Sequence, residues 1–161
     1  MRVDKTNYYL DIAEAALERS TCLRRKYGAV VVKNDEIIST GYNGAPRGRK
    51  NCMDLGYCVR EKLNIPSGER YELCRSVHAE QNAIISAPRK DMIDATLYMV
   101  GVDAKTGKYV QNSMSCSMCK RFIINSGIKT IVIRDTKKKY RIIQVQELID
   151  NDESLEGVLG Y

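Results

Sequence analysis

Residues 28–42, GAVVVKNDEIISTGY, hold two β-rich runs around Lys33-Asn34-Asp35, and no other stretch narrows the fold as far. Turn-forming residues between two such runs predict a hairpin, which starts a sheet that later strands must extend. ATLYMVG (95–101) and KTIVIRD (129–135) read as those strands. Each follows a segment with helical spacing, HAEQNAIISA (78–87) and CSMCKRFIINSG (116–127). In the first of these, Ala83, Ile84 and Ala87 are apolar and Pro88 predicts the end. In the second, Phe122 and Ile123 are expected to point inward, with Gly127 as the C-cap candidate. Tyr9, Ile12, Ala13 and Ala16 recur at helical spacing near the start, and VQELID (145–150) reads as a last helix. Helices, a hairpin, an irregular loop and then helix, strand, helix, strand, helix imply an α/β fold. Its expected core is a mixed sheet of about five strands, covered by helices on both faces as a three-layer α-β-α arrangement. A chain of 161 residues suits one such domain, 1–161, without a linker or repeat.

Hydrophobic residues make up 43% and charged residues 29%, a globular balance. No apolar run approaches the ~20 residues that cross a bilayer, so no membrane partner is expected. Acidic residues run through the first twenty positions, which does not fit a signal peptide, and the expected compartment is the cytoplasm. There, six cysteines are expected to be metal-binding, catalytic or buried and not disulfide-bonded. A net charge of +6 favours an anionic partner, either nucleic acid or a small phosphorylated molecule, or else marks a solvated basic face. The densest basic run, Lys137 to Lys139, adjoins a turn and has no interleaved aromatic ladder, so it is a weak signal for nucleic acid. From Asn43 to Cys74 periodicity is lost, and irregular segments of that length inside a domain tend to be functional.

Cys116 and Cys119, taken alone, could hold a metal, cycle as a redox pair or fill space. At the start of a helix, an i, i+3 pair lies on one face, where both sulfurs can grip one ion. The chain has one histidine, His78, at the start of another predicted helix. One imidazole and two thiolates make three ligands for zinc and leave a fourth position open, the pattern of a catalytic site. Glu80, two positions after His78, has no use in a structural site but suits a general base acting on water. Two thiolates roughly cancel the charge of Zn²⁺, so the metal alone acidifies water weakly, and a nearby base fills that gap. A redox pair would leave His78 and Glu80 unexplained.

HAE followed by CSMC resembles the H-x-E…P-C-x-x-C signature of the cytidine and deoxycytidylate deaminase superfamily. The resemblance runs from about Ser20 to Asp135, and at GAVVVKNDEIISTGYNGAPRG it is similar to the deoxycytidylate branch. It implies a cytidine-deaminase-like fold, with His78, Cys116 and Cys119 as zinc ligands and Glu80 as the proton shuttle. It also implies that Asn43 helps to hold the sugar and phosphate and that the Ala79 N–H contacts the pyrimidine ring. The implied reaction is hydrolytic attack at C4 of dCMP, with Glu80 protonating N3 and then the departing amino group, giving dUMP for thymidylate synthesis and ammonia. Where the signature has proline, this chain has Ser115, which is expected to serve as the helix N-cap.

The remaining cysteines, Cys22, Cys52, Cys58 and Cys74, either form a second, structural zinc site or are buried free thiols. Some deoxycytidylate deaminases, by the same resemblance, carry such a zinc, with cysteines at positions like Cys22 and Cys52. Arg47, in the nucleotide loop with Arg49 and Lys50, is a candidate contact for substrate phosphate or for a triphosphate effector. Tyr8, Tyr9 and Phe122 are expected in the core or an interface. The resemblance further implies a homo-oligomer, with a hexamer as the expected form, and allosteric control by dCTP and dTTP. A tRNA adenosine deaminase, or another nucleic-acid-editing zinc enzyme, is the competing reading, against which GYNGAPRG and the cysteine-bearing insertion before HAE both stand. A non-enzymatic zinc or redox module is the other, and it has no role for Glu80.

Overall fold

The computed structural model describes residues 1–156. A single helix, α1 (Lys5–Leu17), precedes the hairpin, and Asp4 caps it by accepting the Asn7 N–H at 3.0 Å. Its buried stripe is Tyr9, Leu10, Ala13 and Leu17, with Ile12 and Ala16 at the margin. The hairpin forms where expected, as β1 (Arg25–Lys33) and β2 (Glu36–Tyr42) in antiparallel pairing. Lys33 faces Glu36, so the turn is Asn34-Asp35, with φ of 50° and 63°. That is type I′ geometry, which Asn and Asp tolerate and which matches the twist of the flanking strands.

Strands β3 (Thr96–Asp103), β4 (Thr130–Arg134) and β5 (Tyr140–Gln144) complete a five-stranded sheet in the order β2-β1-β3-β4-β5. Neighbours are antiparallel except β3 and β4, which run parallel. A parallel pair needs a crossover, here supplied by the helix at Ser117–Ser126. Strand β5 was not legible in the sequence. It is a five-residue edge strand with alternating half-buried and exposed positions, directly after a lysine run.

The irregular stretch carries two single-turn helices, α2 (Cys52–Leu55) and α3 (Val59–Lys62), and a 3₁₀ turn at Tyr71–Leu73. Beyond it come α4 (Ala79–Ile85), α5 (Arg89–Met92), α6 (Ser117–Ser126) and α7 (Val145–Asp150). Gly127, in the left-handed region at φ 85°, ends α6 as its sequence position suggested. These four helices cover one face of the sheet, where Ala83, Met92, Ile123 and Val145 join Val31, Leu97 and Ile131 in one core. Helix α1 covers the other face, packing Leu10, Ala13 and Leu17 on Val30, Val100 and Val132. Adjacent residues of β1 thus enter opposite cores, and the strand is buried almost continuously.

The inward placement expected of Phe122 is corrected. Phe122 is 48% exposed, and the buried positions of α6 are Cys119, Ile123 and Ser126. One residue turns a helix by about 100°, so Phe122 cannot share the centre of that stripe with Ile123. Of the tyrosines expected in the core or an interface, Tyr9 is in the core and Tyr8 is exposed.

Two glycines set how closely the layers approach. A Cβ on Gly28 would lie 1.9 Å from the Ala13 carbonyl oxygen of α1, and one on Gly41 2.3 Å from the Ala79 carbonyl oxygen of α4. Gly41 is therefore what lets the start of α4 sit against β2. Arg134, fully buried on β4, reaches the opposite face and ties α1 down. It donates to Asp11 Oδ1 at 2.9 Å, Glu14 Oε2 at 2.5 Å and Asn7 Oδ1 at 3.1 Å. Lys137, from the basic run, joins Asp11 and Glu14 at 3.0 and 3.3 Å. That lysine closes an ion-pair network from its solvent side.

Candidate metal centre

Two helix starts meet at one point. His78 is the N-cap of α4, its N–H held by Gln81 Oε1 at 2.9 Å. Cys116 is the N-cap of α6, and Cys119 lies within that helix's first turn. His78 Nδ1 is 3.4 Å from Cys116 Sγ and 3.3 Å from Cys119 Sγ. Among the described residues this is the only trio of His, Cys, Asp or Glu whose ligand atoms lie within 4.8 Å of one another. Tetrahedral zinc, with bonds of about 2.3 Å to sulfur and 2.0 Å to nitrogen, would set such ligands ~3.5 Å apart. The donor set and its spacing fit Zn²⁺.

The electrostatics agree. Donation from Cys119, opposed by burial and aided by His78, brings the Cys116 thiol down to about 4. Cys119 is pushed up by Cys116, by its own burial and by Glu80. Burial works against a charged His78, yet Cys116, Cys74 and Glu80 push it up to about 10. The three groups compete for protons, and a divalent cation that neutralises both thiolates would displace those protons. The N-terminal end of α6 favours a thiolate at the same place.

Glu80 is buried, in the first turn of α4, beside this trio. Ser115 does not cap α6, because Cys116 occupies the cap position. Its hydroxyl instead donates to Glu80 Oε1 at 2.8 Å, and its Oγ also lies 3.6 Å from Met99 Sδ. The local preference for serine at a helix start gave way to a contact with another helix, which spacing could not reveal.

His78, Ala79, Glu80 and Cys116 line a cavity, together with Asn43. The Asn43 side chain is largely committed to the fold: Oδ1 accepts from Ser20 Oγ at 2.6 Å and Tyr27 N at 2.8 Å, and Nδ2 donates to the Arg25 carbonyl at 2.9 Å. One amide hydrogen remains for a ligand. Arg47 is exposed and is not among the cavity's lining residues. Arg24, Arg25 and Arg60 are. Arg60 is buried, bonded to the Pro66 and Glu69 carbonyls and set over the Tyr71 ring, which meets His78 edge-on. These lining residues, with Tyr27, carried no sequence signal, since their place depends on how the strand β1 and the irregular stretch meet.

The other four cysteines come from the loop after α1, from α2, from the cap of α3 and from the end of the 3₁₀ turn, and all are free thiols. They gather beside the cavity, which Cys22, Cys58 and Cys74 line. The Cys52 thiol is pushed up to about 11 by burial and then by Cys22, Cys58 and Cys74. Among the described residues, no three of them bring their sulfurs within 4.8 Å of one another.

Residues 3–135 match the family described as the cytidine and deoxycytidylate deaminase zinc-binding region. A deoxycytidylate deaminase of Mycobacterium phage D29 is 39% identical over 136 residues, 81% of this chain and 94% of that relative. A deoxycytidylate deaminase of Schizosaccharomyces pombe is 34% identical over 78% of this chain, which spans 35% of that longer relative. The crystal structure of dCMP deaminase from cyanophage S-TIM5 in complex with dCMP and dUMP superposes with a TM-score of 0.54, at 26% identity and 83% coverage of each chain. The matched region contains both helix starts of the trio and most of the five-stranded sheet, and the chain belongs to the cytidine and deoxycytidylate deaminase family.

Proposed function

We propose that this chain hydrolyses dCMP to dUMP and ammonia, supplying dUMP for thymidylate synthesis. The observation that carries the proposal is a buried Glu80 beside the His78, Cys116 and Cys119 trio, at a cavity that Arg24 and Arg25 also line. His78, Cys116 and Cys119 would hold Zn²⁺, which supplies the Lewis acid that makes water nucleophilic at neutral pH. Glu80 takes one proton of the attacking water and delivers it to N3 of the cytosine. It then takes the proton of the hydroxyl added at C4 and delivers it to the departing amino group, which leaves as ammonia. Asn43, through its remaining amide hydrogen, and the Ala79 N–H orient the nucleotide. The arginines of the cavity favour its phosphate over an uncharged nucleoside. Arg47, at the loop surface, is left as an effector contact. The choice of dCMP is supported by the phage D29 relative and by the nucleotides bound in the S-TIM5 structure.

Residues 1–161 act as one catalytic domain in this reading, of which 157–161 lie outside the described residues. No described helix is long and apolar enough to cross a membrane. Six free thiols support a cytoplasmic setting. A homo-oligomer, with a hexamer as the specific form, and control by dCTP and dTTP follow from the family resemblance and belong to the proposal. For Cys22, Cys52, Cys58 and Cys74 two readings stand, a second, structural Zn²⁺ that would have to draw their sulfurs together, and free thiols.

The test is a deamination assay on dCMP, dCTP, deoxycytidine and CMP, with zinc counted per chain in the same sample. Preferred turnover of dCMP with at least one zinc per chain is expected, and a second zinc would assign Cys22, Cys52, Cys58 and Cys74 to a structural site. Turnover of tRNA without turnover of dCMP overturns the substrate, and a count of one overturns the second site.

A further inference from the structure

We propose that Ser115 is a positioning residue for deamination, which steadies Glu80 by a buried hydroxyl-to-carboxylate hydrogen bond. The inference rests on the deaminase reading above and concerns a position where the family signature has proline. Ser115 is 4% exposed and Glu80 5%, so neither partner is replaced by bulk water. Its hydroxyl has one hydrogen, and of the two acceptors within reach the Glu80 oxygen at 2.8 Å is far stronger than the Met99 thioether at 3.6 Å. A carboxylate that shuttles protons must present one oxygen repeatedly to the reacting atoms. Anchoring Oε1 to a neighbouring element leaves Oε2 for that work and removes a rotation of the carboxyl group. The anchor comes from the residue immediately before Cys116, so the segment that supplies a metal ligand also sets the shuttle. Proline at this position has no side-chain donor, and the contact is therefore a property of this chain's sequence.

Ser115→Ala and Ser115→Thr are to be compared with the native chain, using whichever cytosine substrate of the panel the native chain turns over fastest. A wrong assignment to dCMP therefore leaves this test standing. Ser115→Ala is expected to lower kcat about 10-fold, in the range for supporting hydrogen bonds at metal sites, with KM within twofold. Zinc per chain and the thermal midpoint stay at native values, and Ser115→Thr, which keeps the hydroxyl, restores kcat to within about threefold. Crystal structures give the readout independent of turnover: the Glu80 carboxylate keeps its native position in Ser115→Thr and leaves it in Ser115→Ala. Native kcat in Ser115→Ala overturns the proposal. So do loss of zinc together with kcat, an unmoved Glu80, and a Ser115→Thr no better than Ser115→Ala.

Discussion

Glu80 is where chemistry and packing separate most cleanly. The carboxylate is buried but holds no place in the trio of ligand atoms, so its amide isostere should leave the fold intact. Glu80→Gln is expected to keep native zinc content and circular dichroism while losing about 100-fold to 10,000-fold in kcat. A folded, zinc-replete Glu80→Gln with near-normal turnover would rule out the proton shuttle. Asn43 shows the opposite balance. Its carbonyl already serves Ser20 and Tyr27, so a substitution there disturbs the end of β1 as well as the ligand.

Among the secondary-structure elements, two contacts decide whether the centre is assembled. Helix α4 carries His78 and Glu80 and rests on β2 at Gly41, where no side-chain carbon fits. Gly41→Ala should cost about 1–3 kcal/mol of unfolding free energy by overpacking. Because α4 must shift to admit the methyl group, zinc per chain and kcat should fall with it, which metal analysis and the assay would read together. On the other face, Arg134 holds α1 through Asp11, Glu14 and Asn7 while fully buried. Arg134→Ala removes a fully buried side chain and its hydrogen bonds to α1 and leaves a cavity, and should lose about 3 kcal/mol in urea unfolding. Asp11→Asn should lose under about 1 kcal/mol, since that carboxylate is 41% exposed and its partners keep Glu14. Both variants should retain native kcat, because α1 and the metal trio lie on opposite faces of the sheet.

Over the whole molecule, the trio joins two helix starts 38 residues apart in the chain, so an ion held there adds to the packing and the Ser115–Glu80 hydrogen bond between those segments. A strong chelator is expected to abolish deamination and to lower the thermal midpoint by about 10 °C, the effect of losing a ligand present at ~1,000 times its Kd. Added zinc should restore both, and an unchanged midpoint would show that the ion contributes nothing to folding. Much of this centre was legible before any fold was known. The spacings His78-Glu80 and Cys116-Cys119 act within one helical turn, and the Asn34-Asp35 turn depends on the backbone preferences of its own two residues. Local geometry of that kind is written in neighbouring residues. The fifth strand, the Ser115 contact with Glu80, the arginines at the cavity and the gathering of four cysteines depend on which distant segments meet. That was decided by the parallel crossover between β3 and β4 and by the glycines that let helices settle on the sheet. Burial then chose partners by proximity, and a serine whose local preference is to cap a helix bonded the nearest carboxylate instead.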